Sequence, residues 1–311
     1  MKNYQPLSWS DFPETFTPFF LNPTGANLET KELGPGVYAL LSSIPNVDNA
    51  GFVVGEREVL VIDAHINVAM ARQIQERVRE VSDKPIRYLV NSNYHGDHTF
   101  GNCAFPADTL IVQHRQSAAL VEFFEQEMAF MLPCVGNDKA VFEGVELRRP
   151  DIVFDDFLSL DLGGIVVEIH HFGPANTPGD TVTYVPSVRA AWTGNMTGGN
   201  LIVALESDAP TYMNSIARFA QSLEIDTLIP AHNPPSSGAL LGGYLQYLSQ
   251  VTNAVRGAVS NGWSLGEAMK NIPLDMSQPY APPADHRRID FFRDLHAYNV
   301  QKTYQSLSLE R

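Results

Sequence analysis

Two histidines and one aspartate fall within four consecutive positions, 95–98, and no other feature constrains the chain as strongly. A short β-prone run, residues 87–90, precedes them, so the cluster follows a strand end, where functional loops commonly lie. Alternate residues of an extended segment point the same way, so His95 and Asp97 can share a face, and His98 reaches around after the turn at Gly96. Because imidazole and carboxylate are usual ligands of zinc, iron and manganese, the spacing predicts a metal-binding loop. The alternative is a surface loop in which these residues serve only as capping and turn residues.

Other segments also place polar side chains where an apolar run ends. They are Asp63 after 59–62, Asn176 and Asp180 within 172–181, Asn195 after 190–192, and His232 after 227–229. Together with residues 93–98 these segments resemble the motifs of the metallo-β-lactamase superfamily, in the family's order and with family-like separations. The resemblance extends over residues 36–235, about two thirds of the chain.

The resemblance also shows which ligands are missing. In the common two-metal members the first metal takes histidines at the positions numbered 93, 95 and 176 here, and the second metal takes positions 97, 98 and 232, with a bridging aspartate at 195. This chain has Asn93, Asn176 and Asn195 at three of those seven positions. An asparagine offers a neutral carbonyl oxygen, which is a weak zinc ligand. The resemblance therefore implies one metal, and its expected ligands are Asp97, His98 and His232.

A hydrolytic function follows from that site. The expected substrate is a small organic lactone, ester, thioester or amide, and the expected cofactor is one divalent transition metal, zinc first and iron second. The metal would polarise the carbonyl and lower the pKa of a water that then attacks. His95 is expected to act beside Asp97 as general base or proton shuttle, because its unperturbed pKa lies near 6.5. The polar groups expected around the substrate and the water are Asn93, Asn176, Asn195 and Asp180.

Two other functions stay open at this point. Two histidines and one carboxylate are also the ligand set of non-haem Fe(II) oxygenases, so oxidative or lyase chemistry on the same fold is the first alternative. A metal-free relative that only binds a ligand is the second. His170 and His171 lie just before the Asn176 segment, and one of them could replace a lost ligand.

The hydrophobic pattern predicts a mixed α/β (α+β) fold. Residues 37–41, 51–54 and 59–62 read as consecutive strands, and the apolar spacing over 66–81 indicates a helix that covers one sheet face. A second set of short strands is predicted at 152–154, 165–169, 182–184, 190–192 and 227–229, with a helix after Pro210. The resemblance implies a four-layer αββα sandwich with the metal loops along one sheet edge.

The expected organisation has three parts. Residues 1–35 form an N-terminal arm rich in proline and aromatic residues, residues 36–238 form the metallo-β-lactamase-like domain, and residues 239–311 form a C-terminal helical extension with a proline-rich break at 279–283. Residues 114–140 read as a helical insertion within the domain. Because this insertion closely follows the ligand loop, it is either a lid over the substrate pocket or an additional core helix.

Composition and charge indicate which classes of binding partner to expect. The chain has 311 residues, 44% of them hydrophobic, which suffices for a substantial core, and a formal net charge of −14. An acidic chain without a Lys/Arg cluster predicts no nucleic-acid partner. No stretch approaches a membrane span and the N-terminus lacks an apolar signal core, so no membrane association and a cytoplasmic location are expected. Cys103 and Cys134 are expected to be reduced, and the pattern leaves the oligomeric state open.

Overall fold

The computed structural model describes residues 4–198, 202–278 and 288–309. The strands in these ranges form a seven-stranded sheet in the order β1 to β7 and a five-stranded sheet in the order β12-β11-β10-β9-β8. The first sheet contains β1 (Leu28–Gly34), β2 (Val37–Ser42), β3 (Ala50–Val54), β4 (Val59–Ile62), β5 (Ile86–Val90), β6 (Leu110–His114) and β7 (Ile152–Phe154). The second contains β8 (Phe157–Asp161), β9 (Val166–His170), β10 (Val182–Val185), β11 (Ala190–Trp192) and β12 (Thr227–Ile229).

Helices cover the outer faces of both sheets and extend the chain beyond them. They are α1 (Val68–Val81), α2 (Gly96–Thr99), α3 (Arg115–Leu120), α4 (Phe124–Cys134), α5 (Ala209–Ser222), α6 (Leu240–Ser260), α7 (Leu265–Asn271) and α8 (Ile289–Leu309). Helix α1 begins after Asn67, whose side chain accepts the Met70 N–H, and α5 begins after Asp208, whose side chain accepts the Thr211 N–H. Asparagine and aspartate are both preferred N-cap residues, because their side-chain oxygens accept a backbone N–H of the first helical turn. No helix in the described ranges is long and apolar enough to cross a membrane.

Three apolar clusters separate four layers. Ile74 and Val78 of α1 pack against the outer face of the first sheet. Between the sheets, Leu60 of β4 belongs to the same cluster as Trp192 of β11. Phe219 of α5 lies in the cluster on the outer face of the second sheet. Since each sheet buries apolar side chains on both faces, the layer order is helix, sheet, sheet, helix, and the predicted αββα sandwich is confirmed.

Four strands differ from the predicted pattern, because β1, β6 and β8 were not predicted and β7 was assigned to the wrong sheet. Ile152–Phe154 was expected in the second set of strands, and that assignment is wrong, because β7 pairs in parallel with β6 at the edge of the first sheet. Leu28–Gly34, inside the predicted arm, forms β1 and pairs antiparallel with β2. Most side chains of this edge strand are exposed, and its sequence, LETKELG, is correspondingly charged. It therefore lacks the alternation of apolar and polar residues that marks a half-buried strand.

The arm, the insertion and the C-terminal helix α8 meet beside the metal loops. Trp9 of the arm stacks on Phe130 of α4 with ring centroids 4.8 Å apart, and Phe12 stacks on Tyr298 of α8 at 4.3 Å. The predicted helical insertion contains α3 and α4, and α4 packs into the core. Its role as a lid and the division of the chain at residues 35 and 238 stay predictions. The proline-rich break at 279–283 and His286 lie outside the described residues.

Candidate functional site

The polar motifs converge because the strands that carry them are neighbours. Strands β4 and β5 run parallel, so Asp63 after β4 lies beside the loop 91–98 after β5. Strands β11 and β12 also run parallel, and Asn195 and His232 follow their carboxyl ends. Parallel strands end at one sheet edge, where functional loops collect. Asp63 itself takes a left-handed backbone with φ 61°, a conformation that non-glycine residues rarely adopt outside constrained sites.

His98 is held by a carboxylate at one ring nitrogen and unpartnered at the other. Its Nδ1 lies 3.0 Å from Asp63 Oδ2, and Asp63 also accepts the backbone N–H and the hydroxyl of Ser92 at 2.8 and 2.9 Å. His98 Nε2 has no hydrogen-bond partner among the described residues. Burial works to lower the pKa of His98, but the Asp63 and Asp97 carboxylates outweigh it and raise the pKa to about 10. This is the arrangement in which a carboxylate orients a metal-binding histidine.

Asp97 and a second aspartate converge on that nitrogen. Asp48, in the loop between β2 and β3, offers an oxygen that lies within 4.8 Å of ligand atoms of both Asp97 and His98. Burial, reinforced by the Asp97 charge, raises the pKa of Asp48 well above its usual range. Burial also works to raise the pKa of Asp97, but the imidazoles of His98 and His232 lower it overall.

His232 completes the group from the other sheet. Its Nε2 lies 3.7 Å from Asp97 Oδ2, and its Nδ1 lies 3.5 Å from Asp48 Oδ1. Burial lowers the pKa of His232 to about 4, so the ring is neutral at pH 7 and keeps a lone pair. The expected ligands Asp97, His98 and His232 therefore lie together in the structure.

The donor chemistry of this group fits a divalent transition metal. Five buried atoms of this group have no hydrogen-bond partner among the described residues, and they are Asp48 Oδ1 and Oδ2, Asp97 Oδ1, His98 Nε2 and His232 Nδ1. Buried polar atoms without partners are costly and rare in folded proteins, so a group of them in one place needs an explanation. Carboxylate oxygens and imidazole nitrogens are ligands that zinc and iron share.

His95 lies in a different environment from His98. Its Nδ1 is 3.0 Å from Glu127 Oε1, and its Nε2 is 3.0 Å from Glu206 Oε1. Glu127 also accepts the Gly96 N–H, and the Tyr94 hydroxyl donates to Glu206 at 2.9 Å. Burial works to lower the pKa of His95, but the two carboxylates raise it well above its usual value. Both nitrogens therefore act as donors, and His95 is held as a buried cation.

Two of the three asparagines form side-chain hydrogen bonds within the protein. Asn93 Oδ1 accepts the His95 backbone N–H at 2.8 Å, and Asn176 Nδ2 donates to the Ala204 carbonyl at 2.7 Å. Asn176 and Asn195 both line the cavity described below. Asp180 is buried and accepts the Thr177 N–H at 2.6 Å, and burial raises its pKa to about 7.

The other histidines named from the sequence have partners elsewhere. His170 Nε2 lies 2.9 Å from Glu168 Oε2. His171 donates from Nδ1 to the Asp180 carbonyl at 2.8 Å, and its ring stacks on His114 with centroids 3.8 Å apart. These contacts give both residues of the 170–171 pair a structural explanation that needs no metal.

The polar groups open into an apolar cavity of about 250 Å³. His95, Asp97, Asn176, Asn195 and His232 form its polar floor. Its walls are mainly apolar and come from the arm, α4 and α8, and they include Phe19, Leu21, Phe130, Met131, Phe291 and Leu295. Arg288 also lines the cavity, with its guanidinium 4.1 Å from the centre of the Phe291 ring. A mostly apolar cavity with a few convergent polar groups is the usual form of a small-molecule site.

Sequence reasoning missed three acidic residues that contact histidines of this site. Asp48 and Glu206 lie in loops, where no periodic pattern marks a buried side chain. Glu127 did carry a signal, because Glu127, Phe130, Met131 and Cys134 are spaced as one buried helical face. An acidic residue on such a face indicates a buried polar contact.

Comparison with known proteins agrees with this architecture. A family model described as the metallo-beta-lactamase superfamily matches residues 44–232, more than half of the chain. A linear primary-alkylsulfatase from Pseudomonas sp. (strain ATCC 19151) is 21% identical over 214 residues, which covers 58% of this chain and 40% of that protein. The chain therefore spans less than half the length of this relative.

Solved structures show the same fold at low sequence identity. A metallo-beta-lactamase from Pontibacter korlensis superposes with a TM-score of 0.58 at 17% identity, covering 72% of this chain and 99% of that one. The stereoselective inverting sec-alkylsulfatase Pisa1 from Pseudomonas sp. superposes with a TM-score of 0.65 at 16% identity, covering 90% of this chain and 50% of that one. Because it covers 90% of this chain, the second match extends beyond residues 44–232.

Proposed function

We propose that this chain, which belongs to the metallo-beta-lactamase superfamily, is a metal-dependent hydrolase of a small ester that carries an apolar group. The observation that carries the proposal is the cavity, because Asp97 and His232, two of the expected metal ligands, line an apolar space of about 250 Å³. Small-molecule sites are commonly 300–1,000 Å³, so this volume suits a small substrate.

One divalent metal would be held by Asp97, His98 and His232. When bound there, it would act as a Lewis acid on the ester and would acidify a water molecule. Asp63 would orient His98 through its 3.0 Å contact with Nδ1, so that Nε2 faces the metal. Zinc suits this mixture of nitrogen and oxygen donors, and iron suits it as well.

The other polar residues of the floor would orient the substrate and handle protons. Asn176 Oδ1 has no hydrogen-bond partner among the described residues, and its amide lines the cavity, so it can accept a hydrogen bond from substrate or water. His95 is expected to serve as a proton shuttle rather than as a free base, because both of its nitrogens already donate to carboxylates. The Tyr94 hydroxyl donates to Glu206 and holds that carboxylate against His95 Nε2.

The apolar walls of the cavity favour an ester with an alkyl group, and the guanidinium of Arg288 beside them favours an anionic end. Two relatives in the comparisons are named as alkylsulfatases, which makes alkyl sulfates the first esters to test. Burial of an alkyl group against the aromatic walls would contribute about 0.8 kcal/mol per methylene group. Arg288 beside the walls places a positive charge where an anionic group could lie.

The test combines metal analysis with a substrate panel. We expect protein purified without added metal to contain about one zinc or iron per chain, and chelation to remove both metal and activity. The panel pairs medium-chain alkyl sulfates with neutral carboxylic esters of the same alkyl length. Activity without metal, or no hydrolysis of any ester by metal-loaded protein, would contradict the proposal.

The charge of Arg288 offers a matched variant. Arg288→Gln should raise KM for the anionic esters about fivefold and leave KM for the neutral esters unchanged, because a rim charge contributes about 1 kcal/mol. Equal effects on both series would mean that Arg288 only supports the wall through its contact with Phe291.

A further inference from the structure

Asp48 has the features of a metal ligand without belonging to any of the motifs. Its side chain is fully buried, and neither carboxylate oxygen has a hydrogen-bond partner among the described residues. One of its oxygens lies within 4.8 Å of ligand atoms of both Asp97 and His98. A buried carboxylate with no hydrogen-bond donor is unfavourable unless it is protonated or a cation offsets its charge.

Neighbouring contacts fix the backbone on both sides of Asp48. Asn49 donates from Nδ2 to the Pro230 carbonyl at 3.0 Å and to the Asn233 carbonyl at 2.8 Å, and its backbone N–H donates to the Ala231 carbonyl. These bonds tie the β2–β3 loop to the segment that carries His232. The position of Asp48 relative to His232 is therefore set by the fold and not by a free surface loop.

Asp48 could instead orient a ligand, as Asp63 orients His98. The distances argue against that role. Asp63 approaches His98 Nδ1 to 3.0 Å, whereas Asp48 Oδ1 lies 3.5 Å from His232 Nδ1 without forming a hydrogen bond. Asp48 therefore lies near Asp97 and His98 as well as near His232, and it forms no hydrogen bond with the His232 ring.

We propose that Asp48 is a fourth protein ligand of the metal and supplies, from the β2–β3 loop, the carboxylate that Asn195 does not provide. The inference rests on the proposed function, because it assumes that Asp97, His98 and His232 bind a metal. Two carboxylates and one divalent cation give a neutral centre, which suits a site buried in an apolar cavity. A metal that accepts more than four ligands would keep an open position for water or substrate.

The test measures metal binding without turnover. Apoprotein is titrated with Zn²⁺ in competition with a chromophoric chelator, and with Co²⁺ while its visible absorption spectrum is recorded. Asp48→Asn keeps the shape of the side chain and removes the charge, and Asp48→Ser is smaller and introduces no clash. Asp63→Asn is the matched control, because it removes a carboxylate that touches a ligand but is not itself proposed to bind the metal.

We expect both Asp48 variants to lose at least about 100-fold in Zn²⁺ affinity and to show an altered Co²⁺ spectrum. Asp63→Asn should lose about 10- to 100-fold and keep the wild-type spectrum, since its ligand set is unchanged. Wild-type affinity in the Asp48 variants, or reduced affinity with an unchanged spectrum, would overturn the inference and leave the proposed function standing. If the wild type itself binds no Zn²⁺ or Co²⁺, both the inference and the proposed function are wrong.

Discussion

His95 and His98 lie three residues apart on one loop, yet their ring nitrogens have different partners. His98 bonds Asp63 through Nδ1 and leaves Nε2 without a partner among the described residues. His95 meets a carboxylate at each nitrogen, Glu127 on one side and Glu206 on the other, both at 3.0 Å. The cavity floor thus has two halves. The His98 half keeps a ring nitrogen without a hydrogen-bond partner, whereas in the His95 half both ring nitrogens of the histidine meet carboxylates.

The difference follows the positions at which the family resemblance implies ligands that this chain lacks. That resemblance would place histidines at positions 93 and 176 beside His95, and this chain has asparagines there. A buried imidazole that loses its metal needs other partners, because an unsatisfied buried polar group costs about 1–3 kcal/mol. Glu127 and Glu206 meet that need. The charge on His95 then takes the place of a metal charge beside the cavity.

The largest effect is expected from a variant of the His98 half of the cavity floor. His98→Ala should reduce the metal content from about one per chain to near zero and abolish hydrolysis, because a site with so few protein ligands has no spare donor. Elemental analysis after dialysis measures the first effect. His170→Ala is the control, since His170 pairs with Glu168 outside the site. If His98→Ala kept its metal, the unpartnered atoms of this half would need another explanation.

The second prediction concerns the His95 half of the cavity floor. Glu127→Ala should lower the free energy of unfolding of the apoprotein by about 4 kcal/mol, because it leaves a buried His95 with one carboxylate and the Gly96 N–H without its acceptor. Urea denaturation in the presence of a chelator measures this loss without a contribution from metal.

Glu125 provides a control on the same helix. Glu125 is exposed on α4, so Glu125→Ala should change the free energy of unfolding by no more than about 0.5 kcal/mol. Equal losses in the two variants would mean that the contact between Glu127 and His95 contributes little, and the distinction between the two halves would then fail.

How much of the site the sequence predicts depends on how local the signal is. Asp97 and His98 are adjacent, and His232 ends a short apolar run, so a motif and a strand end together placed them at one sheet edge. Asp48 reaches the same point through a loop whose path depends on Asn49 bonding to residues 230–233, about 180 positions away. No local pattern encodes such a contact, because it exists only after the two sheets pack.

The fold was more predictable than the site for a similar reason. Buried strands such as β4, with the sequence VLVI, carry continuous apolar runs that are visible without any partner. The edge strand β1 lacks that signal, and β7 was predicted as a strand but its sheet is decided by pairing with β6. The layers could therefore be predicted, whereas β1 and the sheet of β7 could not.

The smallest effect concerns Asp180, a buried carboxylate in the His95 half that accepts the Thr177 N–H at 2.6 Å and has one oxygen without a partner among the described residues. Burial raises its folded-state pKa to about 7, against about 3.9 in an unfolded chain. Between these values the folded state binds more protons, so this group makes stability fall as pH rises, by about 1.4 kcal/mol per pH unit.

Asp180→Asn keeps an acceptor for Thr177 and removes the titration. Its stability relative to wild type should therefore increase steadily from pH 4.5 to 6.5 in urea denaturation, whereas the exposed Asp108→Asn should show a far smaller change with pH. Parallel pH profiles for Asp180→Asn and wild type would mean that this carboxylate is stabilised as well as the rest of the His95 half.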